Sequence, residues 1–520
     1  MTTVTVQNLT ASSLSVLDIT LGAGQSGPLA IDDSRYALSM QQLDALKNKG
    51  YISYSTALAT NSGLSVLPAA TTQDMDLYVD PVHGNDGYAG TFASPLRSVQ
   101  AALDAIPKLI RHQVTIHLAA GDYYSDPATP QGYYTGVATV VVEGFGFDRL
   151  RQLAGLAYLR VQGHTTALFA GKHVSSYTAP ASPDPRATVH VTGTPFTAHA
   201  LKGKFIRFTS GGSGLADVVP GQPLPNTFPI TDNTNNSITF VLAVGLYVTP
   251  DNTSVFDIIE NDSLIHDGPQ SNDGSYNNAY GAMLIRTDSL SSSFESPAYP
   301  VIIESVHFPV DGANVKGGNA LFSHISTNND LATYYSSVYS WAAGAFAVTY
   351  NSYLGGYNSV YAADGGALDI NGCYVSSVQG GQTIYLNTGG LLWGLQDTII
   401  ENTDSESTSH GIKIQYGSPG FPSGRLNNVQ MLVTGGDCVN VEGPGCMVNL
   451  FSGGIAGSGG GGWGISSRDG AQVRVSIQCT VTGTKGDLTV DGTTAVTYAT
   501  LAGMTPASLT NAHEFSRIFE

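Results

Sequence analysis

Apolar and polar residues alternate in short runs along nearly the whole chain. Near the start, VTVQNLT and SLSVLDITL alternate and predict two short strands. One helix is clearly signalled behind them. Ser39 is a good N-cap with Gln42 three residues on, and Leu38 and Leu43 stand where a hydrophobic staple would form. Leu43 and Leu46 give that helix an apolar face, and Gly50 ends it. Ser53 to Gln73 is rich in Ser, Thr and Ala and reads as a linker. Residues 1–72 are therefore expected to form a small α+β domain with its linker.

The next stretch, from Leu77 to Pro107, holds a strand at Leu77–Val79 and a turn-rich loop from Asp80 to Ala93. A helix then opens at Ser98 with Val99, Ala102, Leu103 and Ile106 on one face, and a strand follows at Val114–Leu118. From Val301 onward, strands such as VIIESVHF, GALDINGCYV, GIKIQYGS and AQVRVSIQ are broken by Gly, Asn and Asp. They recur about every 20 to 25 residues, the length of one rung in a parallel β-helix. A rung cannot bury its apolar face alone, so stability would come from stacking on its neighbours.

The fold class expected is all-β: a right-handed parallel β-helix with a small N-terminal domain and an inserted β module. It divides as 73–188 (coil start with a capping helix), 189–262 (inserted module, with alternation in Phe205–Thr209 and Ile238–Val241), 263–492 (coil body) and 493–520 (C-terminal tail).

The pattern strand, V-D-P-V-H-G-N-D, loop, S-P-L-R-S-V-Q-A-A-L-D-A-I-P, strand, G-D-Y resembles the pectate-lyase-like β-helix proteins of phage tailspikes and tail fibres. In that family the helix plugs the open N-terminal end of the coil, where core side chains and strand edges would otherwise be bare. The resemblance implies a homotrimer on a virion tail, assembled in the host cytoplasm. It also implies attachment to a tail or baseplate protein through the N-terminal domain, and adhesion to host surface polysaccharide as receptor. Depolymerisation of that polysaccharide is left open, as is a non-catalytic role as fibre shaft or adaptor.

Composition fits this picture. Gly is abundant at 61 residues, as tight corners require, and only 12% of residues are charged. A net charge of −18 argues against nucleic acid and anionic membranes as partners. The opening MTTVTVQNLT has neither a basic nor an apolar leader region, and no apolar run is long enough to span a membrane. A free bacterial lyase would be expected to carry a leader. Cys373, Cys438, Cys446 and Cys479 form no CxxC and have no His at zinc-ligand spacing, so they read as small buried residues.

Glycan chemistry needs aromatic faces for sugar rings and, for hydrolysis, two carboxylates about 5.5 Å apart for retention or about 6.5–9.5 Å for inversion. Tyrosines crowd the span from Tyr334 to Tyr361. Of these, Tyr350, Tyr353, Tyr357 and Tyr361, with Trp341, are the substrate-binding candidates, and Tyr334, Tyr335 and Tyr339 belong to the same cluster. The same residues also suit strand ladders or a subunit interface. Asp364, Asp369, Asp397 and Glu401 are the catalytic candidates, with Asp404 and Glu406 in the loop beyond. Lys413 and His410 are near one another, His410 reading as a surface residue. Asp80, Asn85 and Asp86 offer oxygens to a cation but lack EF-hand spacing, and Asx turns explain them equally. Gly457–Gly464 lacks the Lys-Ser or Lys-Thr of a phosphate loop. No metal site or cofactor is signalled.

Overall fold

The computed structural model describes residues 2–10, 12–16, 19–31, 43, 46, 51–56, 70–124, 139–181, 183–212, 226–242, 249–266, 282–287, 299–309, 312–327, 336–378, 380–419, 425–450, 455–475, 479–491, 496–499, 509–511 and 517–519. The chain divides into two compact units, Met1–Ala69 and Ala70–Glu520. In the first, the strand Thr2–Asn8 pairs antiparallel with Ser26–Ile31 on one side and Ile52–Thr56 on the other. Val6, Val16, Leu29, Leu43 and Ile52 form its core, and Leu46 packs against them. Of the helix signals, Leu38, Ser39, Gln42 and Gly50 lie outside the described residues.

The second unit is a right-handed parallel β-helix. Its strands stack in three parallel columns. The first runs through Met75–Val79, Gln113–Leu118 and Tyr158–Gln162 to Ala345–Tyr350 and Ala367–Asn371. The second includes Tyr353–Gly356 and Tyr374–Ser377, and the third includes Val338–Trp341, Val360–Ala363 and Ile384–Leu386. Register explains the core. Val338, Val360, Ile384, Ile412, Val439 and Ile465 occupy one position in six successive rungs of the third column. All six are buried. Every second residue of each strand points into the coil, so one aliphatic stack runs along each inner face.

The corners demand unusual backbone. Ser305, His324, Asn351, Gly372, Asp397 and Asn428 each follow a first-column strand, and all have φ between 43° and 63°. Such a conformation costs about 1 kcal/mol for a residue with a Cβ. The ladder carries on through the bend: Asn351 N–H donates to Asn371 C=O at 3.0 Å and Gly372 N–H to Gln396 C=O at 3.1 Å. After the third column, Asp364-Gly365, Thr388-Gly389 and Asp469-Gly470 each place two successive residues at positive φ, as a type I′ turn requires.

The helix Val99–Ala105 opens at Ser98, whose Oγ accepts from Ala101 N–H at 3.1 Å. Val99, Ala102 and Leu103 sink into the coil's core at its first rungs. Between Gln162 and Ser263 the coil is interrupted by a seven-stranded antiparallel module running from Thr165–His173 to Val255–Asn261. It begins well before residue 189. Its first strand is mostly exposed, so no apolar alternation announces it. The coil strands also continue past residue 492: Val496–Ala499 pairs with Gln472–Val475 and Arg517–Phe519 with Val496–Ala499, both parallel. The segment after 492 is thus coil in these strands, where a tail was expected. Cys373, Cys438 and Cys446 are buried and form no disulfide. Among the described residues no helix is long and apolar enough to cross a membrane.

The module docks on the outer face of the second column. Asn261 Nδ2 donates to His324 C=O at 2.7 Å and to Val306 C=O at 3.2 Å. Val241 packs with Tyr353, Tyr374 and Ile399. His324 itself is fully enclosed, its Nε2 3.1 Å from Thr227 C=O, and burial pushes its pKa down to about 4.

Two outcomes follow for stability. A methyl group on Gly372 would meet Asn351 Oδ1 at 2.2 Å, on top of the strained φ of 63°. Gly372→Ala is expected to destabilise the coil by about 2–3 kcal/mol in chemical denaturation. The unfolded chain binds a proton at the His324 position near pH 6.5 and the folded one only near 4. Stability should therefore fall as pH drops from about 6.5 towards 4, by roughly 3 kcal/mol from this group, and level off below. His324→Asn, which tolerates the left-handed corner, should flatten that slope in denaturation midpoints measured across the range.

Candidate functional site

The third column carries two tyrosines of the expected cluster, Tyr339 and Tyr361, on its outer face, with Tyr385 in line beyond them. Tyr339, Tyr361 and Tyr385 hold one register position in three successive rungs. Their rings stack nearly parallel, at 4.5 Å between the first two and 4.9 Å between the last two. The Trp341 ring stacks parallel to Tyr339 with centres 5.8 Å apart, Lys316 Nζ lies 4.2 Å from its ring centre, and its Nε1–H donates to Asp364. Asn387 Nδ2 donates to Tyr361 Oη at 3.0 Å, and Gln415 Nε2 to Tyr385 Oη. Burial raises all three phenol pKa values. The ladder spends its ring faces on one another and presents edges and hydroxyls outward. It supports the sheet but offers few faces to a sugar.

The other candidates lie apart. Tyr350 sits on the outer face of the first column against an apolar patch that includes Leu321, Phe346 and Val348, and burial pushes its pKa up to about 12. Tyr353 is buried under the inserted module, 5.0 Å from Tyr374. Tyr357 stands at a corner where a methyl on Gly380 would lie 3.7 Å from its ring and 3.6 Å from both Asp404 Oδ2 and Glu406 Oε2. Tyr334 and Tyr335 lie outside the described residues.

The four catalytic candidates occupy four different parts of the coil. Asp364 is in a third-column turn. Asp369 is on the outer face of the first column, where a methyl on Gly394 would meet its Oδ1 at 2.5 Å. Asp397 is only 5% exposed at a left-handed corner and accepts from Asn428 Nδ2 at 3.0 Å. Glu401 faces the module, paired with Lys202 at 3.0 Å and accepting from the Tyr374 hydroxyl. His410 is buried, not superficial: its Nδ1 accepts from Asp437 N–H at 3.0 Å, and burial pushes its pKa down to about 4. Lys413 lies 3.8 Å from Glu442.

A cleft of about 310 Å³ opens elsewhere, at the corner between the first and second columns in the first three rungs. Tyr78, His117 and Gln162 line it from one register position on three adjacent strands. Val79, Asp80, Ala119, Gly163 and His164 continue the wall around the bend. Tyr78 stacks on His117 at 4.8 Å. Phe92 makes a T-shaped contact with Tyr78 at 5.4 Å and is otherwise 81% exposed.

The loop that carries Phe92 is held by its own side chains. Asp80 Oδ1 accepts from Val82 N–H and His83 N–H, both at 2.9 Å. Asn85 Oδ1 accepts from Gly87 N–H, and Asp86 accepts from the N–H groups of Arg97 and Ser98 and from Ser98 Oγ–H. The Asp80 and Asn85 contacts are turn bonds and those of Asp86 tie the loop to the start of the helix, so the carboxylate and amide oxygens considered for a cation are engaged with donors. Burial pushes the Asp80 carboxyl up, but the bonds from His83 and Val82 outweigh it and hold it below its ordinary value.

Both histidines of the cleft are backed by carboxylates. His117 Nε2 is 2.9 Å from Asp76 Oδ1, and His164 Nδ1 is 2.9 and 3.1 Å from the two oxygens of Asp262. Sequence reasoning missed this site. Tyr78, Asp80 and Phe92 lie in the loop motif that the sequence singles out, but His117, Gln162 and His164 come from later rungs and the start of the insertion, so no single window contains the site.

No family model matches the sequence, and no curated protein matches it. Solved structures with similar architecture include one described as a glycoside hydrolase, at 9% identity over 85% of this chain and 96% of that one, TM-score 0.31. The tailspike protein gp49 of Pseudomonas phage LKA1 overlaps at 12% identity over 79% and 72%, TM-score 0.21. The gp54 tailspike of Acinetobacter baumannii bacteriophage AP22, in complex with A. baumannii capsular saccharide, overlaps at 11% over 78% and 71%, TM-score 0.18.

Proposed function

We propose that this chain is a phage tailspike or tail-fibre protein that binds a host surface polysaccharide in the cleft of the first three rungs. One observation carries the reading. A concave site of saccharide size is walled by Tyr78, Phe92 and His117 and edged by a few polar groups, the usual make-up of a small-ligand site. The exposed ring of Phe92 suits the CH face of a pyranose. In this reading the chain acts as a homotrimer on the virion tail, with the N-terminal unit as the attachment domain.

The proposal is of binding, not of cleavage. Asp364, Asp369, Asp397 and Glu401 are dispersed over the coil and do not line the cleft.

The test is to titrate the purified full-length chain with capsular polysaccharides and lipopolysaccharides from a panel of bacteria, and to size the glycans afterwards. Saturable binding to at least one glycan, with its length unchanged, is expected. Phe92→Ala should weaken that binding about tenfold, the loss of one stacking contact, with an unshifted melting temperature because the side chain is exposed. Binding unaffected by Phe92→Ala would remove the cleft from the proposal, and shortened glycans would replace binding with depolymerisation.

A further inference from the structure

The polar edge of the cleft has a one-sided chemistry. Asp80 lines it, and Asp76 and Asp262 stand directly behind His117 and His164. Among the described residues, no lysine or arginine lines it. In a neutral imidazole, the nitrogen facing a carboxylate carries the proton and the other accepts. His117 engages Asp76 through Nε2 and His164 engages Asp262 through Nδ1, so in the neutral forms Nδ1 of the one and Nε2 of the other are the acceptor nitrogens. Among the described side chains lining the cleft, Gln162 adds N–H donors and Tyr78 a hydroxyl that can donate or accept.

We propose that the cleft takes a neutral or amino-bearing saccharide and excludes uronate- and sialate-rich chains. This rests on the reading of the cleft as a glycan site. Hydroxyl, acetamido and ammonium groups bring the donors that these acceptors lack. A sugar carboxylate brings only acceptors, and sets its charge beside three carboxylates in a partly desolvated corner where repulsion is stronger than in bulk water. The net charge of −18 opposes the approach of any polyanion as well.

The experiment uses the full-length chain and a panel of purified bacterial capsular polysaccharides, neutral and acidic, each acidic one paired with its carboxyl-reduced form. Binding is measured at about 20 mM and about 500 mM NaCl, which brackets strong and weak screening. Neutral and amino-bearing glycans are expected to bind. Each carboxyl-reduced form that binds should do so at least tenfold tighter than its acidic parent at low salt, with the gap narrowing at high salt. Asp76→Asn, at a side chain that is 61% exposed, should narrow the same gap without added salt. Acidic parents that bind as well as their reduced forms would overturn the exclusion and leave the glycan site standing. If no glycan binds in either form, the reading of the cleft as a glycan site fails, and the exclusion with it.

Discussion

Everything in the second unit depends on one repeated interaction, the parallel hydrogen-bonded register of each strand with the equivalent strand of the next rung. A single rung has two bare edges and an apolar inner face that it cannot cover. Stacking removes both defects at once. Because the side-chain period is two, a slip of one residue in any column would turn its aliphatic stack outward. The stack from Val338 to Ile465 is thus cause and consequence of the register. The corners must keep the same phase, and they do so at the expense of left-handed backbone at Ser305, His324, Asn351, Asp397 and Asn428.

That constraint separates what the sequence reveals from what it hides. Spacing along the chain shows the rung length, the aliphatic positions and the Ser98-capped helix, because each is written in neighbouring residues. Asp-Gly at 364–365 and at 469–470 likewise reads as a turn. The left-handed corners do not, since serine, histidine, asparagine, glycine and aspartate fill the same place in different rungs. Asp397 looks like a free carboxylate until the register puts it in that series beside Asn428. Glu401 meets Lys202 from far earlier in the chain, and His164 meets Asp262 across the whole insertion. Side-chain chemistry built across rungs has no signature in any window of sequence.

The tyrosine ladder shows how a local pattern can mislead about purpose. Aromatic residues one rung apart suggest a sugar platform, yet equal register turns them face to face. Exposed aromatic surface arises where the register breaks, as in the loop that carries Phe92. The coil supplies a regular scaffold, and its irregular corners are where side chains are free to depart from the stack.

The inserted module leaves and rejoins the coil at one place. His164 N–H donates to Ser263 Oγ at 2.8 Å, and Asp262 N–H donates to His164 C=O at 3.2 Å. The two ends are clasped together, so about a hundred residues enter without displacing a strand of the next rung. In evolutionary terms this junction is a graft point, where one domain can be exchanged for another while the scaffold keeps its geometry. His164, one half of that clasp, is also in the wall of the cleft. An exchange of cassettes by recombination would therefore touch that wall in the same event, tying the turnover of an accessory domain to the shape of the proposed binding cleft.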